Sequence, residues 1–409
     1  MNKVTDDILY VGVNDYTTDI FESQYPIPDG VTYNSYVILD EKVMVVATCS
    51  HDFSEEWMKN VKEALQDRKP DYLLIQHMEP DHSAVNAAFM DAYPEAVIVA
   101  SKAALNMVKN FFGTDYAGRN LAIKEGDTLS LGRHELSFVA APMVHWPEVM
   151  LAYDKADQVL FASDAFGRFG APKDPALTAV SPEYEAEEWL KEARRYYIGI
   201  VGKFGDSVIN VLKKAAGLDI RVICGLHGPV LTHDLGKYIE VYKKWASYEP
   251  EEKGIAICYT SVYGHTREAA ELLQKDLKEI SKGIQHCERE QAEAVKTELF
   301  DLARCDMSAA VAAAFQYDRV VLATTTYNND IFPAMKDFLH HLQNSAFQKR
   351  TLALIENGSW APKAANIMKG ILEASPDLTY CDTTVTIKSA VNEAVKAQIA
   401  QLAKELLEK

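Results

Sequence analysis

What the chain lacks removes whole classes of function. No apolar run approaches the ~20 residues that a membrane-spanning helix needs, so no membrane partner is expected. The opening "MNKVTDDILYVGV" lacks the basic-then-apolar layout of a secretory signal, which makes the cytoplasm the expected location. Cys-x-x-Cys pairs are missing. The six cysteines, Cys49, Cys224, Cys258, Cys287, Cys305 and Cys381, come no closer together than 18 positions. That spacing excludes the tight clusters of iron–sulfur, rubredoxin-type and zinc-ribbon sites and leaves buried, reduced thiols as the expectation. Positive charge is short as well. Against 59 Asp and Glu stand 42 Lys and Arg, a net charge of −17, so no basic face for nucleic acid is expected. Internal repeats and low-complexity segments are absent.

A length of 409 residues exceeds one ordinary core and points to two domains. Residues 1–250 mix short strands with helices. "NSYVIL", "KVMVVAT", "DYLLIQH", "EAVIVAS", "LSFVAAP", "QVLFAS" and "RVICGLH" read as strands, and several end directly at His, Asp or Ser. The polar, acidic, Pro-containing "SYEPEEKG" (247–254) reads as a linker. From 254 to 409 strand and helix patterns alternate five times, which predicts a doubly wound parallel sheet.

The apolar run "YLLI" ends in "QHMEPDHSA", which places His77, Glu79, Asp81 and His82 within six positions. Three further ligand-type residues follow strand patterns: His145 in "APMVHWPEVM", Asp164 in "LFASDAFG" and His227 in "ICGLHGPVL". A lone His after a strand is usually an ordinary polar loop residue. Three such sites flanked by Gly or Pro, together with the first motif, are enough for two metals of three or four protein ligands each, one carboxylate bridging. Pro80 gives a competing reading, in which the spacing of Glu79 and Asp81 is that of a sharp turn. His51, His134, His233, His340 and His341 read as turn, surface or helix residues without a site.

In the second half, "YTSVYGHTRE" joins the first strand to the first helix and brings Ser261, Val262, Tyr263, Gly264, His265 and Thr266 to a helix N-terminus, which suits a phosphate. Neither Gly-Lys-Ser/Thr nor Gly-x-Gly-x-x-Gly occurs there, so it is no nucleoside-triphosphate or dinucleotide loop. Taken alone, such residues also cap helices without a ligand. Two more loops follow the third and fourth strands. "TTTYNND" carries Thr325, Thr326, Tyr327, Asn328 and Asn329, and "ENGSWAP" carries Asn357, Gly358, Ser359 and Trp360. Tyr327 and Trp360 are placed to flank a flat ring and the Asn residues to bond its polar edge; the alternative is that both aromatics pack on the sheet end.

The order of motifs resembles the metallo-β-lactamase fold, an αββα sandwich whose dizinc members carry His-x-His-x-Asp-His. Here the motif is His77-x-Glu79-x-Asp81-His82. The extra carboxylate adds hard anionic oxygen, which favours iron over zinc. The second half resembles flavodoxin, which implies FMN. An iron-binding lactamase-like half followed by a flavodoxin-like half resembles the flavodiiron proteins over nearly the whole chain. That resemblance implies an oxidoreductase that passes electrons from FMN to a non-heme, carboxylate-bridged diiron centre, reducing O2 to water, NO to N2O, or both. One iron would take His77, Glu79 and His145; the other Asp81, His227 and, as a ligand or only a hydrogen-bonding neighbour, His82; Asp164 would bridge. It also implies a head-to-tail homodimer, with a tetramer as the further assembly, and a separate rubredoxin or similar electron donor. Two departures stand out. Glu22 occupies a place where some members carry His, and "HGPVLT" lacks an aromatic or Arg seen after that motif elsewhere. Two other readings compete: a dizinc lactamase-fold hydrolase with a regulatory flavodoxin-like domain, and an electron-carrying flavoprotein with an inert metal domain.

Overall fold

The computed structural model describes residues 2–288 and 295–409; the side chains of 283–288, and so the Cys287 thiol, lie outside the described residues. The chain divides into two units, Met1–Ala246 and Ser247–Lys409. The segment expected to link them falls within the second unit, whose first strand already begins at Glu252.

The first unit is built on two sheets. The six-stranded sheet runs, in spatial order, Ile8–Tyr10, Tyr36–Leu39, Val43–Val46, Tyr72–Ile75, Val97–Ser101 and Asn120–Ile123; its first two pairings are antiparallel and the rest parallel. The five-stranded sheet runs Thr128–Ser130, Glu135–Ala140, Met150–Asp154, Val159–Ser163 and Val222–Gly225, antiparallel except for the last pair. Alternate residues of both sheets share one core. Tyr36, Ile38, Met44 and Val46 from the first meet Leu136, Phe138, Met150, Ala152, Val159 and Phe161 from the second. This is the two-residue period of strands stacked face to face. Helices Ser54–Leu65 and Lys102–Phe112 pack on the first sheet, and Gly205–Ala215 packs on the second with Leu235–Ala246 beside it, completing an αββα sandwich. Met150–Asp154 and Asn120–Ile123 are strands that the sequence pattern does not mark, because each is short and held in place by its neighbours rather than by its own periodicity.

The second unit is one parallel sheet in the order Lys296–Asp301, Glu252–Tyr259, Tyr317–Tyr327, Thr351–Asn357, Thr379–Ile387. In chain order this is 2-1-3-4-5, the flavodoxin-like arrangement, in which the order of strand addition switches sides between the first and third strands. Helices His265–Glu288 and Glu393–Glu408 pack together on one face; Met307–Gln316, Pro333–Asn344 and Ala364–Ile371 form the other group. Among the described residues no helix is long and apolar enough to cross a membrane. Cys49, Cys224, Cys258 and Cys381 are buried, while Cys305 is partly exposed rather than buried.

Candidate metal centre and flavin-site loops

In the first unit the ligand-type residues leave the sheets at strand ends. His77 follows Tyr72–Ile75, Asp164 follows Val159–Ser163, and His227 follows Val222–Gly225; His145 lies between Glu135–Ala140 and Met150–Asp154. Hydrogen bonds across the sandwich hold these ends in register. Gln76 Nε2 donates to the carbonyls of Met150 (3.0 Å) and Phe161 (2.9 Å). Asn34 Nδ2 donates to Gly225 O and Gly228 O, and the Tyr36 hydroxyl donates to Gly225 O at 2.7 Å. Pro80 does not simply make the sharp turn of the competing reading. It opens a short helix, Pro80–Ser83, where the missing N–H of proline costs nothing, and that turn carries Asp81 and His82 inward.

The seven residues form two adjoining groups, His77–Glu79–His145–Asp164 and Asp81–His82–His227. His145 Nε2 lies 3.0 Å from Glu79 Oε2 and 3.1 Å from Asp164 Oδ2, and His77 Nε2 lies 3.2 Å and 3.3 Å from the same two oxygens. On the other side, Asp81 Oδ2 is 3.2 Å from both His82 Nε2 and His227 Nε2, and the two imidazole nitrogens are 3.0 Å apart. Asp164 joins the groups: Oδ2 faces His77 and His145, while Oδ1 faces His82 at 3.2 Å and His227 at 4.0 Å. Its neighbours Ser163 (φ 53°) and Phe166 (φ 67°) hold left-handed backbone that non-glycine residues rarely adopt, the kind of local strain that clusters at functional sites.

The back sides of two imidazoles are fixed. His227 Nδ1 donates to Thr32 O at 2.7 Å, and a carbonyl can only accept. Its Nε2 therefore points a lone pair at Asp81 and His82 when the ring is neutral. His77 Nδ1 lies 2.8 Å from Glu148 Oε1, which also accepts from Met78 N at 2.9 Å. Glu148 thus orients His77 and raises its donor strength, as outer carboxylates do for metal-binding histidines. It is the functional residue that motif reading misses, since its only signal is a Glu three positions after His145.

Burial works against positive charge on His77, His145 and His227, yet the facing carboxylates outweigh it. They raise all three, with His145 pushed up to about 9. Glu79 and Asp164 move the other way: burial raises them, and the histidines pull both below the usual carboxylate range. Glu22 sits beside Glu79, and although its side chain is exposed, partial desolvation and then the Glu79 charge raise its carboxyl. Both Asp81 oxygens and Asp164 Oδ1 are buried without a hydrogen-bond partner. Without a metal, protons on the imidazoles must balance these buried anionic oxygens. Cations resolve that arrangement, and a set of four His and three carboxylates suits iron.

A third group, His134–Asp154–Asp157, is different in kind. His134 is fully buried rather than a simple turn residue; its Nδ1 lies 3.0 Å from Asp154, and its Nε2 lies 3.0 Å from the Arg133 guanidinium, which also pairs Asp157 and Asp7. Its groups already satisfy one another, so it reads as a structural clasp.

In the second unit the loops after the first and third strands lie at the point where the strand order reverses. Ser261 Oγ accepts from Gly264 N at 3.1 Å, and Gly264 takes φ +98° at the start of His265–Glu288. Asn328 and Asn329, at φ 47° and 65°, form the two-residue turn between the paired Thr326–Tyr327 and Asp330–Ile331. That is a type I′ hairpin, so their side chains are chosen first for turn chemistry. The Asn357 side chain is occupied between loops, donating to Ser389 O at 3.2 Å and accepting from Ser389 N at 3.2 Å, rather than free for a ring edge. Of the two aromatics expected to flank a ring, Trp360 stands clear of the sheet end at 91% exposed, whereas Tyr327 is 43% exposed and meets Phe332 edge-on at 5.5 Å; Tyr263 in the first loop is 90% exposed. Thr325 Oγ1, two residues before Tyr327, is buried without a hydrogen-bond partner. Exposed rings, small hydroxyl residues and a helix N-terminus suit a flat aromatic ligand bearing a phosphate.

Several known proteins are similar to the chain. Residues 31–228 match the family described as ODP family beta lactamase. The anaerobic nitric oxide reductase flavorubredoxin of Citrobacter koseri is 28% identical over 89% of this chain and 73% of its own length. Diflavin flavoprotein A 1 of Synechocystis is 31% identical over 66% of this chain, which spans 46% of that longer protein. Among solved structures, rubredoxin oxygen:oxidoreductase of Desulfovibrio gigas superposes with a TM-score of 0.89 at 22% identity, covering 100% of this chain and 98% of its own. The flavodiiron protein of Giardia intestinalis superposes with a TM-score of 0.88 at 23% identity, covering 100% and 97%.

Proposed function

We propose that this chain, a homologue of the flavorubredoxins with the fold of the flavodiiron proteins, is a reductase that carries electrons from an external donor through FMN to a pair of iron ions, where O2 is reduced to water, NO to N2O, or both. The observation that carries this reading is Asp164, one carboxylate whose two oxygens face two separate ligand groups.

His77, Glu79 and His145 would hold one ion, Asp81, His82 and His227 the other, and Asp164 would bridge. His82 is assigned here as a ligand, because its Nε2 turns to Asp81, Asp164 and His227 together. Bound iron would supply one-electron chemistry and positions at which two small molecules, or the two ends of one, are held together. The chain's own residues prepare that site. Glu148 holds the His77 ring, Thr32 O holds the His227 ring, and Phe21, Tyr33 and Tyr196 pack against His227 to exclude bulk water. In the second unit Ser261, Val262, Tyr263, Gly264, His265 and Thr266 would receive the FMN phosphate. Thr325, Thr326, Tyr327, Gly358, Ser359 and Trp360 would border its ring, with Asn328, Asn329 and Asn357 shaping the loops. The same reading includes a rubredoxin-type donor, a cytoplasmic location and a head-to-tail homodimer. The names of the similar proteins support the donor and the gases.

Iron, zinc and flavin content of one anaerobically purified sample tests the proposal. Two irons and one FMN per chain, followed by O2 or NO consumption with a reduced donor, are expected. Two zincs without flavin would reject the reductase and favour a hydrolase.

A further inference from the structure

Trp146 directly follows His145 in the loop between Glu135–Ala140 and Met150–Asp154. Its indole meets the His77 ring edge-on, with centroids 5.1 Å apart at 85°, and lies 6.1 Å from the His145 ring. It therefore rests on both imidazoles of one ligand group. The loop that carries it is fixed by the same contacts that fix those ligands: Met143 N donates to Trp146 O at 2.8 Å, and Glu148, two residues on, bonds His77.

The other group has different walls. The His227 ring meets Phe21 at 5.5 Å, Tyr33 at 6.0 Å and Tyr196 at 5.4 Å, and His82 meets Tyr33 at 6.4 Å. Those three aromatics are sealed in, none more than 6% exposed. Trp146 is partly exposed. One group thus has an aromatic ring that spans from its imidazoles to solvent, whereas the rings against the other end inside the protein.

Electronic coupling falls steeply with each ångström of through-space gap, so a π ring that touches both metal ligands and solvent shortens the gap to an external carrier. We propose that Trp146 is the electron-entry residue of the metal centre. His77, Glu79 and His145 would hold the nearer ion and Asp164 would join it to the second; the indole would lie between that ion's imidazoles and an external carrier, so the nearer ion would be the first to accept an electron. The proposal rests on the reductase reading. The balance is simple: a fully reduced flavin gives up two electrons and releases two protons to solvent, two ferric ions gain one electron each and become ferrous, and the indole ends unchanged. Trp146 is a positioning residue for electron transfer and does not touch the gas.

The test mixes iron-loaded protein anaerobically with reduced free FMN and follows the loss of ferric absorbance by stopped flow in wild type, Trp146→Leu and Trp146→Phe. At equal iron content the Leu variant should be reduced roughly tenfold more slowly and the Phe variant should fall between. NO binding to protein already fully reduced by long incubation with dithionite should be unchanged, which a general distortion of the site would not leave alone. A Leu variant with full iron and the wild-type reduction rate would overturn the proposal while leaving the reductase standing. If the Leu variant loses iron, the Phe variant decides: reduction as fast as wild type overturns the proposal. Wild type that takes up zinc but not iron overturns the functional reading, and the proposal falls with it.

Discussion

The two candidate sites solve the problem of holding a cofactor in opposite ways. In the first unit the ligands are charged and almost wholly buried, delivered from strand ends and backed by Glu148 and Thr32 O. In the second the residues stand at the open end of a sheet, with Tyr263 and Trp360 about nine-tenths exposed. A metal ion needs no large hole but does need anions and lone pairs gathered in advance, and burying those without a cation is costly. A flavin needs area and backbone donors, and a topological switch point supplies both without buried charge. The first site should therefore be stiff and intolerant of change, and the second graded in its response.

The sharpest way to break that contrast is Asp164→Asn. It keeps the size of the bridge but removes its charge and replaces one of its two oxygens with an amide NH2, so iron content should fall to one per chain or less and gas consumption by at least ~100-fold. Metal analysis beside oxygen- or NO-electrode assays checks it; full iron and full activity would show that the bridge is dispensable. Next comes Glu148→Ala, which leaves the His77 ring without its partner. Iron affinity should drop roughly 10–100-fold, with Glu148→Gln losing less because an oxygen still accepts from Met78 N. A competitive chelator titration reads this.

On the flavin side, Trp360→Ala should weaken FMN retention by only about 3–10-fold, the scale of one aromatic contact, and leave iron content alone. Fluorescence titration of flavin-stripped protein measures it. A complete loss of flavin would mean that the second site is as brittle as the first.

The smallest effect is expected at the His134 clasp, which lies outside both sites. Burial opposes charge on His134, but the hydrogen bond to Asp154 outweighs it and raises the imidazole. A raised folded-state value means that the stabilisation is fully present below the unfolded value of about 6.5 and fades as pH rises through the folded value. Melting curves in that window should show wild type losing on the order of 2–4 °C relative to Asp154→Asn as pH rises, with metal content unchanged. A flat difference would make the pair neutral.

The parts that sequence alone conveys are those that depend on residue type and period. Alternation of apolar strands with helical patterns from residue 254 onward prescribes a parallel sheet, because each segment carries its own periodicity. His77, Glu79, Asp81 and His82 point to a metal because four ligand-type side chains fall within six positions. Other features depend on segments far apart in the chain, and no local pattern encodes them. Pairing with Glu135–Ala140 and Val159–Ser163 makes Met150–Asp154 a strand, although its own five residues carry little signal. The Asn328–Asn329 turn and the ties of Asn357 to Ser389 show side chains that suit a ligand by type but serve the backbone in place. Glu148 looks like any loop acid until folding sets it 2.8 Å from His77, and His134 looks like a turn residue until Asp154 closes on it. Composition and spacing decided which chemistry this chain can hold. Only the stacking of two sheets decided which residues share it, because ligation depends on distances of about 3 Å between atoms that lie up to about 150 residues apart in the chain.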